Sequence, residues 1–279
     1  SEEFGELQAQ FTVTKSGNFE GKTVLQRWNC DELDPLIETA LAKLFAVRYG
    51  APPEEVKTFP VAENNQGAKQ RDWPGRIPAV TDTKMIVAWN ALMISGLAKA
   101  ARVFDNSEYL ELATTAAKFI LKHQWVDDHF HRVNYDGQVA VLSQAEDYAL
   151  FVKALIDLHQ ASLQQPELAE FWLTNAVNVQ SELDEYLWSM ELGGYFNTAL
   201  DDAETLLIRE RSYMDNATPA ANGVAIANLV RLFLLTEDLN YLDRAGQALE
   251  AFASIMRQSP QACPSLFVAF DWYCNNTLV

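Results

Sequence analysis

Histidine and cysteine are scarce in this chain, with four and three copies in 279 residues. Cys30, Cys263 and Cys274 are odd in number and widely spaced, and no CxxC pair is present. That pattern argues against a disulfide framework and reads as three reduced thiols in a cytoplasmic protein. Without HExxH or paired CxxC, no metal site is expected. Basic residues are outnumbered, 21 Lys and Arg against 38 Asp and Glu, for a formal net charge of −17. A surface that acidic repels phosphate backbones and anionic membranes, so no nucleic-acid or membrane partner is expected. No apolar run approaches the roughly 18 residues that span a bilayer. The first residues, SEEFGELQAQF, have neither the basic nor the apolar region of a signal peptide. GxGxxG and Walker loops are missing too, and no cofactor is implied.

What the chain does have is hydrophobic bulk, 49% of its residues. That suffices for one sizeable core, or at most two. The chain reads as a single domain over 1–279, with an extended segment at 1–30 and a long loop at 49–82. Eight helices are predicted, of two kinds. Segments 84–104, 144–159, 217–235 and 265–273 are apolar around most of their circumference. Segments 33–48, 107–123, 167–188 and 239–257 carry a stripe. In 107–123, Tyr109, Leu112, Ala113, Ala116, Phe119 and Ile120 share one face, and Glu108, Glu111, Thr115, Lys118 and Lys122 the other. A striped helix lies on a surface, and a helix apolar all round is buried.

Striped and buried helices alternate strictly. That order predicts an all-α fold, an α/α-toroid in which each inner helix is wrapped by an outer one. The turns from inner to outer helix are short: DNS at 105–107, QQPE at 164–167 and TEDL at 236–239. The passages back, 49–82, 125–143 and 189–216, are long. They fall on the side where the inner helices begin. Two of them read as small β-hairpins: HFHRVNYDGQVAV turns at Asp136–Gly137, and GGYFNTALDDAETLLIRERSY pairs two strand-like runs. Long loops on a rigid scaffold carry function. In the first inner segment Asp82 reads as the cap, with Lys84, Trp89 and Asn90 near the shared mouth.

Five stretches, SGNFEGKTVL (16–25), DTKMIVAWNALMISGLAKAA (82–101), EDYALFVKAL (146–155), GGYFNTA (193–199) and RERSYMDNATPAANGVAIANLVRL (209–232), together resemble the YyaL family, also called spermatogenesis-associated thioredoxin-like proteins. The resemblance covers nearly the whole chain. It implies an α/α-toroid similar to N-acylglucosamine 2-epimerases and six-hairpin glycosidases, joined to a thioredoxin-like domain. That domain and its cysteine motif are not found in these residues. Eight helices stand where a full toroid has twelve, so either a protein partner covers the exposed flanks of the incomplete ring or the chain closes on itself differently. The family's PSGN reads Pro219-Ala220-Ala221-Asn222 here, which removes a hydroxyl.

Asp147 and Asp215 fall at or just before the starts of neighbouring inner helices. Two carboxylates across a mouth suit acid–base work on a sugar at separations of roughly 5 to 9.5 Å. The related unsaturated glucuronyl hydrolases use such acidic residues. Both also suit helix caps or first-turn charges, as does Glu146. Lys84, Arg132, Arg209 and Arg211 suit a ligand carboxylate or phosphate, or neutralisation of nearby acids. Trp89, Tyr148, Tyr195, Tyr213 and Trp272 suit stacking on sugar rings, or core packing. Asn90 and Asn222 are candidate hydrogen-bonding groups. An epimerase needs histidines at the mouth. His129 and His131 share one side of a strand, on what reads as a solvent-exposed hairpin. The Gly-Gly of GGYF reads as a turn. Together these residues predict a carbohydrate-related toroid, a glycosidase- or epimerase-like enzyme. Asp147 and Asp215 would be catalytic, Lys84 and Arg132 would position the substrate, and Trp89 and Tyr148 would form the floor. The alternatives are a non-catalytic sugar- or protein-binding module normally attached to a thioredoxin-like domain, and an inactive fragment.

Overall fold

The computed structural model describes residues 2–28, 32–56, 62, 65–73, 75, 80, 82–127, 129–199 and 208–276. Cys30 lies outside them. The chain divides into two compact units, Ser1–Asp82 and Thr83–Val279.

In the first unit, α1 (Glu2–Gln10) packs on α2 (Pro35–Tyr49), and a short α3 spans Asn65–Gln70. Residues 2–10 were expected to be extended. They are helical because Glu, Leu, Gln and Ala favour helix and because Leu7 and Phe11 fall one turn apart. Those two are buried with Ile37 and Ala40 of α2 in a small core. Asp34 caps α2 by accepting from Leu36 N–H at 2.8 Å. Gly50, at φ 80°, ends it in the left-handed region. In the SGNFEGKTVL stretch, the Asn18 amide exchanges two hydrogen bonds with the Val24 backbone.

The second unit contains β1 (Met85–Ile86), α4 (Val87–Phe104), α5 (Ser107–His123), β2 (Trp125–Val126), β3 (His129–Tyr135), β4 (Gln138–Leu142), α6 (Ala145–Ala161), α7 (Pro166–Leu187), α8 (Ala221–Thr236), α9 (Leu239–Gln258) and α10 (Pro264–Cys274). Helices α4, α6, α8 and α10 pack in series, and α5, α7 and α9 each back one of the first three. This is the alternating inner–outer order of an α/α-toroid, laid out as an arc. The inner helices run parallel. Their heads are tied by Ala88 N–H to Asp147 (3.1 Å) and Thr218 Oγ1 to Glu146 (3.0 Å). Their tails meet where Arg102 and Arg231 both reach Gln160.

Two expectations about the inner helices need correction. Only α6 and α8 are buried around most of their circumference. Helices α4 and α10 stand at the ends of the arc and expose apolar flanks: Trp89, Met93, Val103 and Phe104 on one, Phe267, Val268 and Phe270 on the other. A helix that is greasy all round is buried only where neighbours exist on both sides. Moreover, Asp82 does not cap α4. The helix begins at Val87 with Ile86 as its cap residue, because β1 intervenes and pairs with β3. The cap comes from another helix, through Asp147.

The predicted hairpin at Asp136–Gly137 is present. Both residues have positive φ, 50° and 87°, as a two-residue primed turn requires. Strand β3 pairs antiparallel with β1, β2 and β4. In the second predicted hairpin the arms meet through Asn197 N–H to Glu210 C=O at 2.7 Å. Residues 200–207, its turn, lie outside the described residues.

Candidate functional site

Two cavities open along the inner helices. One is at the mouth, about 270 Å³, lined by Gln144, Glu146, Asn197, Ser212, Asn216 and Thr218 among others. The second is in the bore, about 470 Å³, and runs from Asp215 past Val224, Asn228 and Trp272 to Lys99, Lys153, Asp157 and Arg231. Pro219 lines both.

Asp147 lines neither cavity. It is fully buried, and it accepts from Ala88 N–H, Gln144 N–H (3.0 Å) and Arg132 Nη1 (2.7 Å). With Gln144 it forms a reciprocal capping box on α6. Burial pushes its carboxyl up to about 6, and Arg132 with the two backbone donors offsets only part of that. Arg132 sits on β3 and also donates to Glu146 at 3.2 Å. Burial would lower its pKa, but the two carboxylates raise it overall. Arg132 therefore faces two acids of this chain. Glu146, a first-turn charge of α6, also accepts from Thr218 and borders the mouth cavity.

Asp215 borders the bore cavity at its head end. One oxygen accepts from Ala220 N–H (2.6 Å) and Ser265 Oγ (2.5 Å), and the other from Ser265 N–H (2.6 Å). It thus serves two helix starts. Ala220, where the resemblance expects a hydroxyl, is the cap residue of α8 and makes no side-chain cap. Asp215 takes its N–H instead.

The remaining predicted residues scatter. Lys84 is exposed just before β1. Trp89 is 61% exposed on the flank of α4. Asn90 donates to Ile86 C=O at 2.9 Å and lines a small apolar cavity facing α5. Tyr148 is buried, and its hydroxyl donates to Glu182 of α7 at 2.8 Å. It points to the outer layer, so it is not a floor of the mouth. Tyr195 is fully buried, donates to Asp184 at 2.6 Å and packs edge-on against Trp188. Asn222, also fully buried, accepts from Tyr195 N–H and donates to Tyr195 C=O and Ser212 C=O. It clamps the GGYF turn to the returning arm. Gly193 and Gly194, at φ 71° and 77°, make the turn. Arg211 donates to Leu192 and Gly193 carbonyls beside the Phe252 ring, and Arg209 lies over Phe196. Tyr213 packs on Phe252. Trp272 reaches the bore. His129 and His131 are half-buried rather than solvent-exposed, with His129 against Tyr186 of α7.

Two polar hubs escaped the sequence reading. Glu182 accepts from Trp125 Nε1, Phe130 N–H and Tyr148 Oη. Asp157 is 2% exposed in side-chain terms and pairs with Lys153 (2.8 Å), Arg231 (2.6 Å) and Lys99 (3.8 Å). The signal for the second was present: Lys153 and Asp157, one turn apart on a buried helix, and Arg231 amid the apolar run of α8. Charge inside an apolar helix marks a paired or functional group. Burial alone would push Asp157 up, but Arg231 and Lys153 hold it below its ordinary range. Burial lowers Lys153, only partly offset by Asp157. Among the described residues no cluster suited to a metal ion is found, and no helix is long and apolar enough to cross a membrane.

The class this geometry defines is an arc of α/α-hairpins with β-hairpins at its mouth. Among curated proteins the chain is similar to human spermatogenesis-associated protein 20, at 31% identity over 95% of the chain, and to its mouse counterpart, at 32% over 80%. Their names share the spermatogenesis-associated part of the family name that the motifs suggested. The chain spans about a third of their length, 34% and 29%. No family model matches. Among solved structures it is similar to a D-mannose isomerase (TM-score 0.49, 20% identity, 62% of this chain and 42% of that one). It is also similar to cellobiose 2-epimerase from Spirochaeta thermophila (TM-score 0.48, 18% identity, 61% and 43%).

Proposed function

We propose that the helical arc is a carbohydrate-binding domain of a cytoplasmic protein, with a sugar seated at the shared mouth of the inner helices. The observation that carries this reading is the mouth cavity. Its rim offers a carboxylate, hydroxyls and amides from four separate segments, at Gln144–Glu146, Asn197, Ser212 and Asn216–Thr218. Such mixed donors and acceptors suit sugar hydroxyls. Free thiols at Cys263 and Cys274 suit a reducing compartment.

Binding draws more support than acid–base catalysis by Asp147 and Asp215. The three donors on Asp147 leave it no approach to a ligand, and Asp215 is occupied by two helix starts. Thermal unfolding with a panel of neutral and acidic sugars tests the proposal. A ligand at ~100 times its Kd adds about 2.7 kcal/mol to stability. Asn216→Ala should reduce that shift without lowering the ligand-free Tm by more than about a degree or two. A panel with no shift for any sugar would sink the reading.

A second reading, a protein partner on the ends of the arc, draws on the exposed flanks of α4 and α10. Mass measured by light scattering across a concentration series checks for self-association through these flanks.

A further inference from the structure

The bore cavity gathers three cations on one acid, in a protein whose net charge is −17. Lys99 comes from α4, Lys153 and Asp157 from α6, and Arg231 from α8. Asp157 can neutralise one of them, so two positive charges remain in surplus within this cluster. The other acid lining the cavity, Asp215, sits at the head end, where its oxygens accept from the neutral donors of Ser265 and Ala220, so over the whole lining the formal surplus is one positive charge. Donors remain as well. Lys99 approaches Asp157 only to 3.8 Å, beyond hydrogen-bond length. Lys153 uses two bonds, to Ser95 and Asp157, of the three an ammonium can make. Arg231 is 8% exposed, and its Nε–H is a buried donor with no partner. A structural ion pair needs one cation and satisfied donors. This cluster has excess charge and unspent donors beside an open volume of about 470 Å³.

We propose that the bore is a binding site for the anionic group, carboxylate or phosphate, of a sugar acid or sugar phosphate. The anion sits among Lys99, Lys153 and Arg231, where cationic donors make the strongest hydrogen bonds. The body of the ligand lies along Val224, Val268 and Trp272, an apolar wall with one aromatic face. The charge of the ligand follows from this cluster alone, and only its sugar body rests on the function proposed above.

Calorimetric titration of the full chain at constant ionic strength tests this, with glucuronate, glucose 6-phosphate, glucose and inorganic phosphate as probes. Glucuronate or glucose 6-phosphate should bind at least about tenfold more tightly than glucose. Arg231→Met risks unfolding the chain, so Lys99→Gln is the informative variant, because that side chain is 56% exposed. It should weaken anion binding roughly fivefold. Lys118→Gln, the same charge change on the outer helix α5, should have no effect. Anions binding no better than glucose would overturn the proposal. So would equal losses from the two lysine variants, which would mean a diffuse field. If inorganic phosphate binds as tightly as glucose 6-phosphate and Lys99→Gln weakens both, the anion site stands and the sugar reading falls.

Discussion

Asp147 shows how one residue can carry two contrary signs. Its three donors favour the carboxylate, and complete burial favours the acid. Burial prevails, and the group titrates at about 6, well above the ~3.9 of an unfolded aspartate. Between about pH 4 and 6 the folded chain therefore holds a proton that the unfolded chain has lost. Stability from this group is full below about pH 4 and falls as pH rises through 6. Urea unfolding at pH 5 and 7 should show about 1 kcal/mol more stability at pH 5 from this source. Asp147→Asn should remove that increment, and an unchanged pH difference would refute the assignment. Asp157 behaves oppositely, because its cations outweigh its burial. Asp157→Asn leaves three cations around a neutral amide and should cost about 3 kcal/mol or more of stability, seen as a lower urea midpoint. Both residues were visible in the sequence as charges on apolar helices. Arg132 as a neutraliser of nearby acids was one of two readings the sequence offered, and it pairs with Asp147, whereas Lys99 and Arg231, the partners of Asp157 on other helices, were not legible.

At the scale of elements, periodicity was legible and termination less so. The stripe on α5 is only partly as expected: Ala113 and Ile120 are buried, joined by Ala117, and Lys118 is exposed, but Leu112 and Phe119 of the apolar face are 53% and 37% exposed. Helices α7 and α9 each bury one face. The start of α4 was misplaced because two residues, Met85 and Ile86, are drawn into pairing with β3. Close approach between helices was also unreadable. In α8, a Cβ added at Gly223 would meet Ser265 Oγ at 2.0 Å and the Ser265 backbone carbon at 2.7 Å. Ser265 cannot yield easily, since both its N–H and its hydroxyl are held by Asp215. Gly223→Ala gains up to ~1 kcal/mol in helix propensity and costs about 1–3 kcal/mol in overpacking. A net loss in thermal stability is expected. Ser265→Gly in the same background removes the side-chain contact but leaves the Ser265 backbone carbon, so it should recover the loss only in part.

At the scale of the whole molecule, the two units have separate cores. Leu7, Phe11, Ile37 and Ala40 form the first, and the larger cluster draws on residues from Val87 to Ala269. Residues 83–279 expressed alone should therefore unfold in one cooperative transition and keep their helical circular dichroism. A broad, non-cooperative melt would show that the second unit needs the first. An inner–outer alternation with parallel inner helices was derivable from hydropathy and loop lengths, because short turns force antiparallel neighbours and burial follows apolar coverage. Those are local properties, so the amino-acid order alone determined them. Which flanks stay bare, which acids turn inward to serve as caps, and which cations meet at Asp157 depend on neighbours distant in the chain. Such pairings arise only when helices close against one another and desolvate their charges, and the tertiary structure alone decided them.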